Sequence, residues 1–204
     1  MSKHQTIQKP SEALYKEKGS KFLAFAYPVK DEAEISQLLE ELRSKYHDAR
    51  HHCYAWMLGM SERNWRANDD GEPSHSAGDP ILGQIKSFDL TNVLVVVVRY
   101  FGGTKLGVGG LIHAYKTAAE EALSKTQKIE IFEMVPIQIH FGYEEMSVAE
   151  RLISQFEIDV AERDFRESCL IQGKIKANVL NAFREAVASL YNMKFVIDGE
   201  GINE

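Results

Sequence analysis

The chain is 204 residues long, which accommodates one large domain or two small ones with real hydrophobic cores. With 44% hydrophobic and 26% charged residues it has an ordinary globular composition, and no apolar run approaches the length of a membrane span. Its 24 basic and 30 acidic residues give a net charge of −6, which speaks against a protein that binds nucleic acid through bulk charge alone.

The N-terminus, Met1-Ser2-Lys3-His4-Gln5, lacks the apolar segment of a signal peptide. Residues 1–20 are polar and carry Lys3, Lys9, Lys16 and Lys18; they read as an exposed arm or a first hairpin strand closed by the turn signal Gly19-Ser20. Lys21 to Val29 reads as a strand. Asp31-x-x-Glu34 then opens a helix whose apolar stripe is Ile35, Leu38, Leu39, Leu42 and Tyr46. His52, Tyr54, Trp56 and Leu58 alternate with Cys53, Ala55 and Met57, a strand with its aromatics on one side. From Asn64 to Gly78 apolar periodicity vanishes and turn formers dominate, so a loop is expected. Asp79-Pro80 looks like an N-cap followed by Pro at the first helical position, opening a short helix through Ile81, Leu82, Ile85 and Phe88.

Val93 to Val98 is an unbroken apolar, mostly β-branched run, the pattern of a strand buried on both faces. It feeds Arg99-Tyr100-Phe101-Gly102-Gly103-Thr104-Lys105-Leu106-Gly107-Val108-Gly109-Gly110, after which Leu111, Ile112, Tyr115, Ala118, Ala119, Ala122 and Leu123 recur at helical spacing. A strand, a glycine-rich turn and a helix N-terminus in succession can cradle an anion, because free backbone N–H groups and the helix dipole point out of the helix start. Arg99 and Lys105 flank this turn. The segment is neither a Walker A loop nor Gly-x-Gly-x-x-Gly. Its glycines fit two readings equally, tight packing of helix on strand or a ligand cradle.

Residues 125–134 read as a hinge, because the charge changes there. Residues 1–129 carry 17 basic and 16 acidic side chains, a net +1, whereas residues 130–204 carry 7 and 14, a net −7. An anionic partner should therefore meet the first domain, 1–129, and a basic protein partner would suit the second, 130–204. In the second, Val135, Ile137, Ile139 and Phe141 alternate as a strand, and Ser147-x-x-Glu150 resembles a capping box before Val148, Leu152 and Phe156. Ile158–Phe165 and Ser168–Ile175 read as a hairpin, Val179, Leu180, Phe183, Val187, Leu190 and Tyr191 as a helix, and Lys194–Ile197 as a strand. The order β-α-β-β-α-β is the ferredoxin-like pattern. The expected class is α+β in two domains. Cys53 and Cys169, far apart and without a Cys-x-x-Cys spacing, suggest reduced thiols and a cytoplasmic location.

Three stretches carry a family resemblance. Asp69-Asp70-Gly71-Glu72-Pro73, Ala77-Gly78-x-Pro80-Ile81-Leu82, and Val98 through Leu111 resemble the YigZ/IMPACT family, and Lys18–Phe22 and Ala49–Ala55 fit its other segments. The resemblance implies a first domain folded like part of a small-subunit ribosomal protein and of elongation factor G, followed in bacterial members by a ferredoxin-like domain. Eukaryotic relatives restrain a starvation-sensing translation kinase through an extra N-terminal domain, for which this chain has no room, so that circuit does not carry over. After Glu-Pro the family pattern is Ser-Gly-Thr-Ala-Gly, where this chain has Ser74-His75-Ser76-Ala77-Gly78. Either φ > 0 is not needed at His75, or the loop differs locally.

Three chemistries compete. In the first, Arg99 and Lys105 contact phosphate while Gly102, Gly103, Gly107, Gly109 and Gly110 present backbone N–H groups to RNA or a ribonucleoprotein. Tyr100, Phe101 or Trp56 would stack on an unpaired base if exposed. Asp69, Asp70, Glu72, His75 and Ser76 form the supporting loop, which either orients the basic side chains, holds a divalent ion that bridges to phosphate, or neutralises Arg99 internally. In the second, a metal-dependent hydrolase or phosphate-ligand enzyme uses the Asp69–Glu72 carboxylates, with His51, His52, Cys53 and His75 as softer ligands. No activated nucleophile or metal motif supports it. In the third, the chain is a protein-interaction module. The sequence favours a non-catalytic, translation-associated binding protein that engages RNA, the ribosome or a translation factor, without catalytic residues, a metal, a cofactor or a membrane partner.

Overall fold

The computed structural model describes residues 4–60, 64–166 and 168–202. The α+β chain divides between Ile131 and Phe132 into two compact units, each with its own core. Lys3 of the basic arm lies outside the described residues.

The first unit is built on a five-stranded antiparallel sheet. In chain order its strands are β2 (Ser11–Glu17), β3 (Ser20–Pro28), β4 (His51–Leu58), β5 (Asn64–Asn68) and β6 (Val93–Tyr100). They lie side by side as β2-β3-β6-β4-β5, so the valine-rich β6 is central. Its burial on both faces follows from helices on both sides. Leu94, Val96 and Val98 pack with Tyr54 and Trp56 of β4 against Ile35, Leu39 and Leu42 of α1 (Glu32–Lys45). Val93, Val95 and Val97 pack with Cys53, Ala55 and Met57 against α2 (Gly78–Ser87) and α3 (Gly107–Ser124). The alternation in β4 thus sorts aromatic residues to one face and smaller ones to the other. Ile112, at helical spacing with the buried stripe of α3, is exposed.

The N-terminal arm is strand rather than free chain. His4–Ile7 forms β1 and pairs antiparallel with β7 (Lys128–Ile131) in a separate two-stranded ribbon. Strand β7 thus occupies part of the stretch expected as a hinge, 125–134, and the division after Ile131 falls within that stretch, two residues beyond the expected end at 129. Strands β2 and β3 join through Lys18-Gly19, both at positive φ, as a tight two-residue hairpin requires. Asn64–Asn68, expected as loop, is an edge strand because it finds backbone partners on β4.

The second unit contains β8 (Met134–Phe141), α4 (Met146–Gln155), β9 (Asp159–Phe165), β10 (Cys169–Lys176), α5 (Leu180–Val187), β11 (Lys194–Ile197) and β12 (Glu200–Ile202). Its antiparallel sheet runs β12-β11-β8-β10-β9, and Ile137, Ile139, Ile171 and Phe195 face Leu152 and Phe183 of the two helices. Two local expectations fail. Ser147 lies inside α4, whose N-terminus has no side-chain cap, while Glu150 pairs with Arg163. Tyr191 is not part of the apolar stripe, since α5 ends at Val187 and leaves it 86% exposed. Cys53 and Cys169 are both buried free thiols. Among the described residues no helix is long and apolar enough to cross a membrane.

Candidate nucleic-acid interface

Arg99 occupies the last inward-facing position of β6 on the face covered by α2 and α3, where Phe22 of β3 and His51 of β4 are its neighbours in register. It is 7% exposed. A buried guanidinium needs a counterion, and Glu72 supplies one: Arg99 Nη1 donates to Glu72 Oε1 at 2.7 Å. The same oxygen accepts from Tyr115 of α3 at 2.8 Å. Cys53 Sγ lies 3.3 Å from the Tyr115 hydroxyl and 3.0 Å from the Asp69 carbonyl. Burial pushes both the Cys53 thiol and the Tyr115 phenol well up, so both stay protonated and act as donors. Tyr115 reads in the sequence only as helix core. Its one betraying signal is a hydroxyl within an alanine-rich buried stripe, which must find a partner.

The carboxylates of the Asn68–Gly78 loop face three different ways. Asp69 Oδ1 accepts from the backbone N–H groups of Ala77 at 3.0 Å and Gly78 at 2.8 Å, and Oδ2 from that of His75 at 2.8 Å. Asp69 therefore caps α2 from across the loop. This corrects the expectation for Asp79, which is the second residue of the helix and pairs with the His75 ring at 2.6 Å. Burial pushes the Asp69 carboxyl upward, yet the three N–H donors at Gly78, His75 and Ala77 outweigh it and hold the group below its usual range. Asp70 Oδ2 accepts from the backbone N–H of His52 at 2.6 Å, and Oδ1 lies 3.8 Å from Arg43. Glu72 serves Arg99. Ser76 donates to the Pro73 carbonyl at 2.6 Å. Of the supporting roles expected for this loop, Glu72 realises the internal pairing of Arg99, and the same bond fixes the orientation of the guanidinium. Asp69 and Asp70 neither orient the basic turn nor converge on an ion. Among the described residues no three His, Cys, Asp or Glu side chains are grouped to hold a metal. His52 sits in the α1-facing half of the sheet, where burial pushes its imidazole down toward the neutral form.

The Arg99–Gly110 turn behaves differently. Gly102 is required by close approach: a Cβ there would collide with the Gly19–Ser20 peptide, and its N–H donates to Ser20 Oγ at 3.1 Å. Gly103 and Gly107 take positive φ, and both, like the helical Gly109, face open space. Gly110 is tight against the Leu106 side chain. The packing reading therefore holds for Gly102 and Gly110, while close packing does not require Gly103, Gly107 or Gly109. Helix α3 begins at Gly107 with no side-chain cap, and Lys105 is exposed just before it. Lys105, Gly107 and Val108 line a cleft of about 400 Å³ together with Glu72, Arg99 and Phe101. A second cleft of about 400 Å³, lined by Arg50, His51, Tyr100 and others, also has Arg99 and Phe101 in its wall. Of the three candidate stacking aromatics, Trp56 is buried, and the Tyr100 hydroxyl is held by Asp48 at 2.6 Å. That hydrogen bond pushes the phenol up to about 12. Phe101 is 58% exposed.

The family model for the Impact N-terminal domain matches residues 18–123, a span that contains the loop, the turn and both clefts. The chain belongs to the IMPACT family. It is 31% identical over 175 residues to IMPACT family member YvyE of Bacillus subtilis (strain 168), covering 86% of this chain and 81% of that one. It is 28% identical over 173 residues to IMPACT family member YigZ of Escherichia coli (strain K12), covering 84% and 85%. A crystal structure of a hypothetical protein aligns with a TM-score of 0.72 at 26% identity, over 96% of this chain and 97% of that one.

Against the IMPACT pattern, the substitution at His75 now has a physical reading. His75 adopts φ +64°, so the position does call for the left-handed conformation that glycine takes without strain. Histidine fills that left-handed position in this chain. The backbone bond to Asp69 and the ring contact to Asp79 hold it there.

Proposed function

We propose that this IMPACT-family chain is a cytoplasmic, non-catalytic, translation-associated regulatory protein that engages RNA or a ribonucleoprotein, such as the ribosome or a translation factor complex, through its first unit. The observation that carries this reading is the cleft beside Phe101. It combines a buried, pre-oriented Arg99, the exposed cation Lys105 and the uncapped start of α3. Phosphate is the group that matches such an arrangement. The charge balance agrees, since the anion-facing part is the one that carries no net negative charge.

In the same reading the first unit has the ribosomal-protein and elongation-factor-G type of fold that the family resemblance implies. The second is ferredoxin-like, supported by its element order and by the order β11-β8-β10-β9 within its sheet. The acidic second unit then offers a surface to a basic protein partner. The hydrolase alternative gains nothing from the geometry, because the loop carboxylates are each engaged in structure.

Binding of structured and single-stranded RNA across a salt series tests the proposal, with Lys105→Ala as the variant because Lys105 is exposed. Affinity should fall log-linearly with salt, and the variant should bind more weakly with a slope shallower by about one. No binding at low salt would overturn the RNA reading and direct the search to protein partners.

A further inference from the structure

Phe101 is an exposed aromatic ring with a built support. The guanidinium carbon of Arg99 lies 5.7 Å from the Phe101 ring centroid and 5.5 Å from that of the fully buried Phe22. Arg99 is in turn fixed by Glu72. Phe22, Arg99 and Phe101 thus form a stack whose inner members are held by the core and whose outermost ring is open to solvent. An exposed phenylalanine has no hydration to gain, and this one is positioned rather than tucked away. The two clefts meet at it. Each has about 400 Å³, within the range of a small-ligand site, and each has a cation besides Arg99: Lys105 in one, Arg50 in the other. Among the described residues neither Lys105 nor Arg50 has an ion-pair partner.

We infer that Phe101 is a base-stacking platform for single-stranded RNA, with the flanking clefts taking the backbone on either side of the stacked base. This rests on the RNA reading above and narrows it to unpaired RNA, because a base inside a duplex cannot reach the ring. Stacking on an aromatic face accepts any base, because every base has a π-face, so sequence preference is weak. Charge complementarity favours the polyanion over an apolar peptide: Lys105 and Arg50 flank the ring, while the carboxylate in each cleft is already engaged, Glu72 by Arg99 and Tyr115 and Asp48 by Tyr100.

The test compares three chains, wild type, Phe101→Ala and Phe101→Tyr, on two probes. One probe is an oligoribonucleotide carrying 2-aminopurine, and the other is an abasic oligomer of the same length and charge. Phe101→Ala should weaken the base-bearing probe by about 5- to 100-fold, abolish the 2-aminopurine quenching and leave the abasic probe unchanged. Phe101→Tyr should restore both affinity and quenching. Unfolding midpoints for all three chains control for damage to the turn. If Phe101→Ala binds both probes as wild type does, or loses both equally, the platform is overturned while phosphate binding stands. If wild type binds neither probe, the RNA reading itself falls and takes this inference with it.

Discussion

Two polar segments meet around Arg99, and they spend their hydrogen-bonding capacity in opposite ways. The Asn68–Gly78 loop is rich in carboxylates and hydroxyls, the composition that first suggests a site. Yet its Asp69, Asp70, Glu72 and Ser76 are each engaged within the protein, to a helix start, a strand N–H, a buried arginine and a local carbonyl. The Arg99–Gly110 turn has few polar side chains, but it leaves Lys105 and an uncapped helix start open beside an exposed ring. Unspent capacity, and not polar density, distinguishes a binding surface from a structural brace.

The sharpest way to break that contrast is Glu72→Ala. It strands a buried guanidinium and leaves the Tyr115 hydroxyl without an acceptor, so stability should fall by about 3–5 kcal/mol. Urea unfolding at unchanged m would measure it, and a loss below about 1 kcal/mol would mean that the brace is dispensable. For the same reason Arg99→Ala is a poor binding probe, since it removes fold and site together. Next in size is Asp69→Ala, which frees the two backbone N–H groups at the start of α2 and that of His75 in the loop before it, and should cost about 2–3 kcal/mol. Because folding lowers the Asp69 pKa, its contribution is complete above the ordinary aspartate range near pH 4. It is lost as pH falls through the lower folded value. Wild type should therefore lose stability on acidification below pH 4, with a smaller acid loss in the variant. Smallest is a pair of glycine substitutions inside the turn. Gly102→Ala should cost about 1–3 kcal/mol through collision with the hairpin tip. Gly109→Ala, in open space within the first turn of α3, should be neutral or stabilising by up to about 1 kcal/mol. Equal effects at the two positions would erase the division between packing glycines and open ones.

Where side chains bury by periodicity, the sequence alone was enough. The valine run of β6, the two-faced alternation of β4 and the stripes of α1 and, except for the exposed Ile112, α3 follow from local spacing and are seen. What local spacing cannot show is a partner distant in the chain. Asn-Trp-Arg-Ala-Asn has no strand pattern, and β5 exists because the open edge of β4 accepts it. Asp69 caps a helix nine residues on, which no N-terminal signature encodes, whereas the nearby Asp79 has the right spacing and the wrong geometry. The candidate site was visible as a turn with two cations. That one of them, Arg99, is also part of the core depended on Glu72, 27 positions earlier in the chain.

The pairing of β1 with β7 brings the described start of the first unit next to its end. His4 faces Ile131 across the ribbon, Gln8 donates to the Gln127 carbonyl, and Thr6 and Thr91 tie the ribbon to the turn after α2. The unit is thereby closed on itself, with entry and exit on adjacent strands. Such a cassette can be circularly permuted by a short bridge between the two strands, or followed by a different module after Ile131, without breaking one pairing of the main sheet.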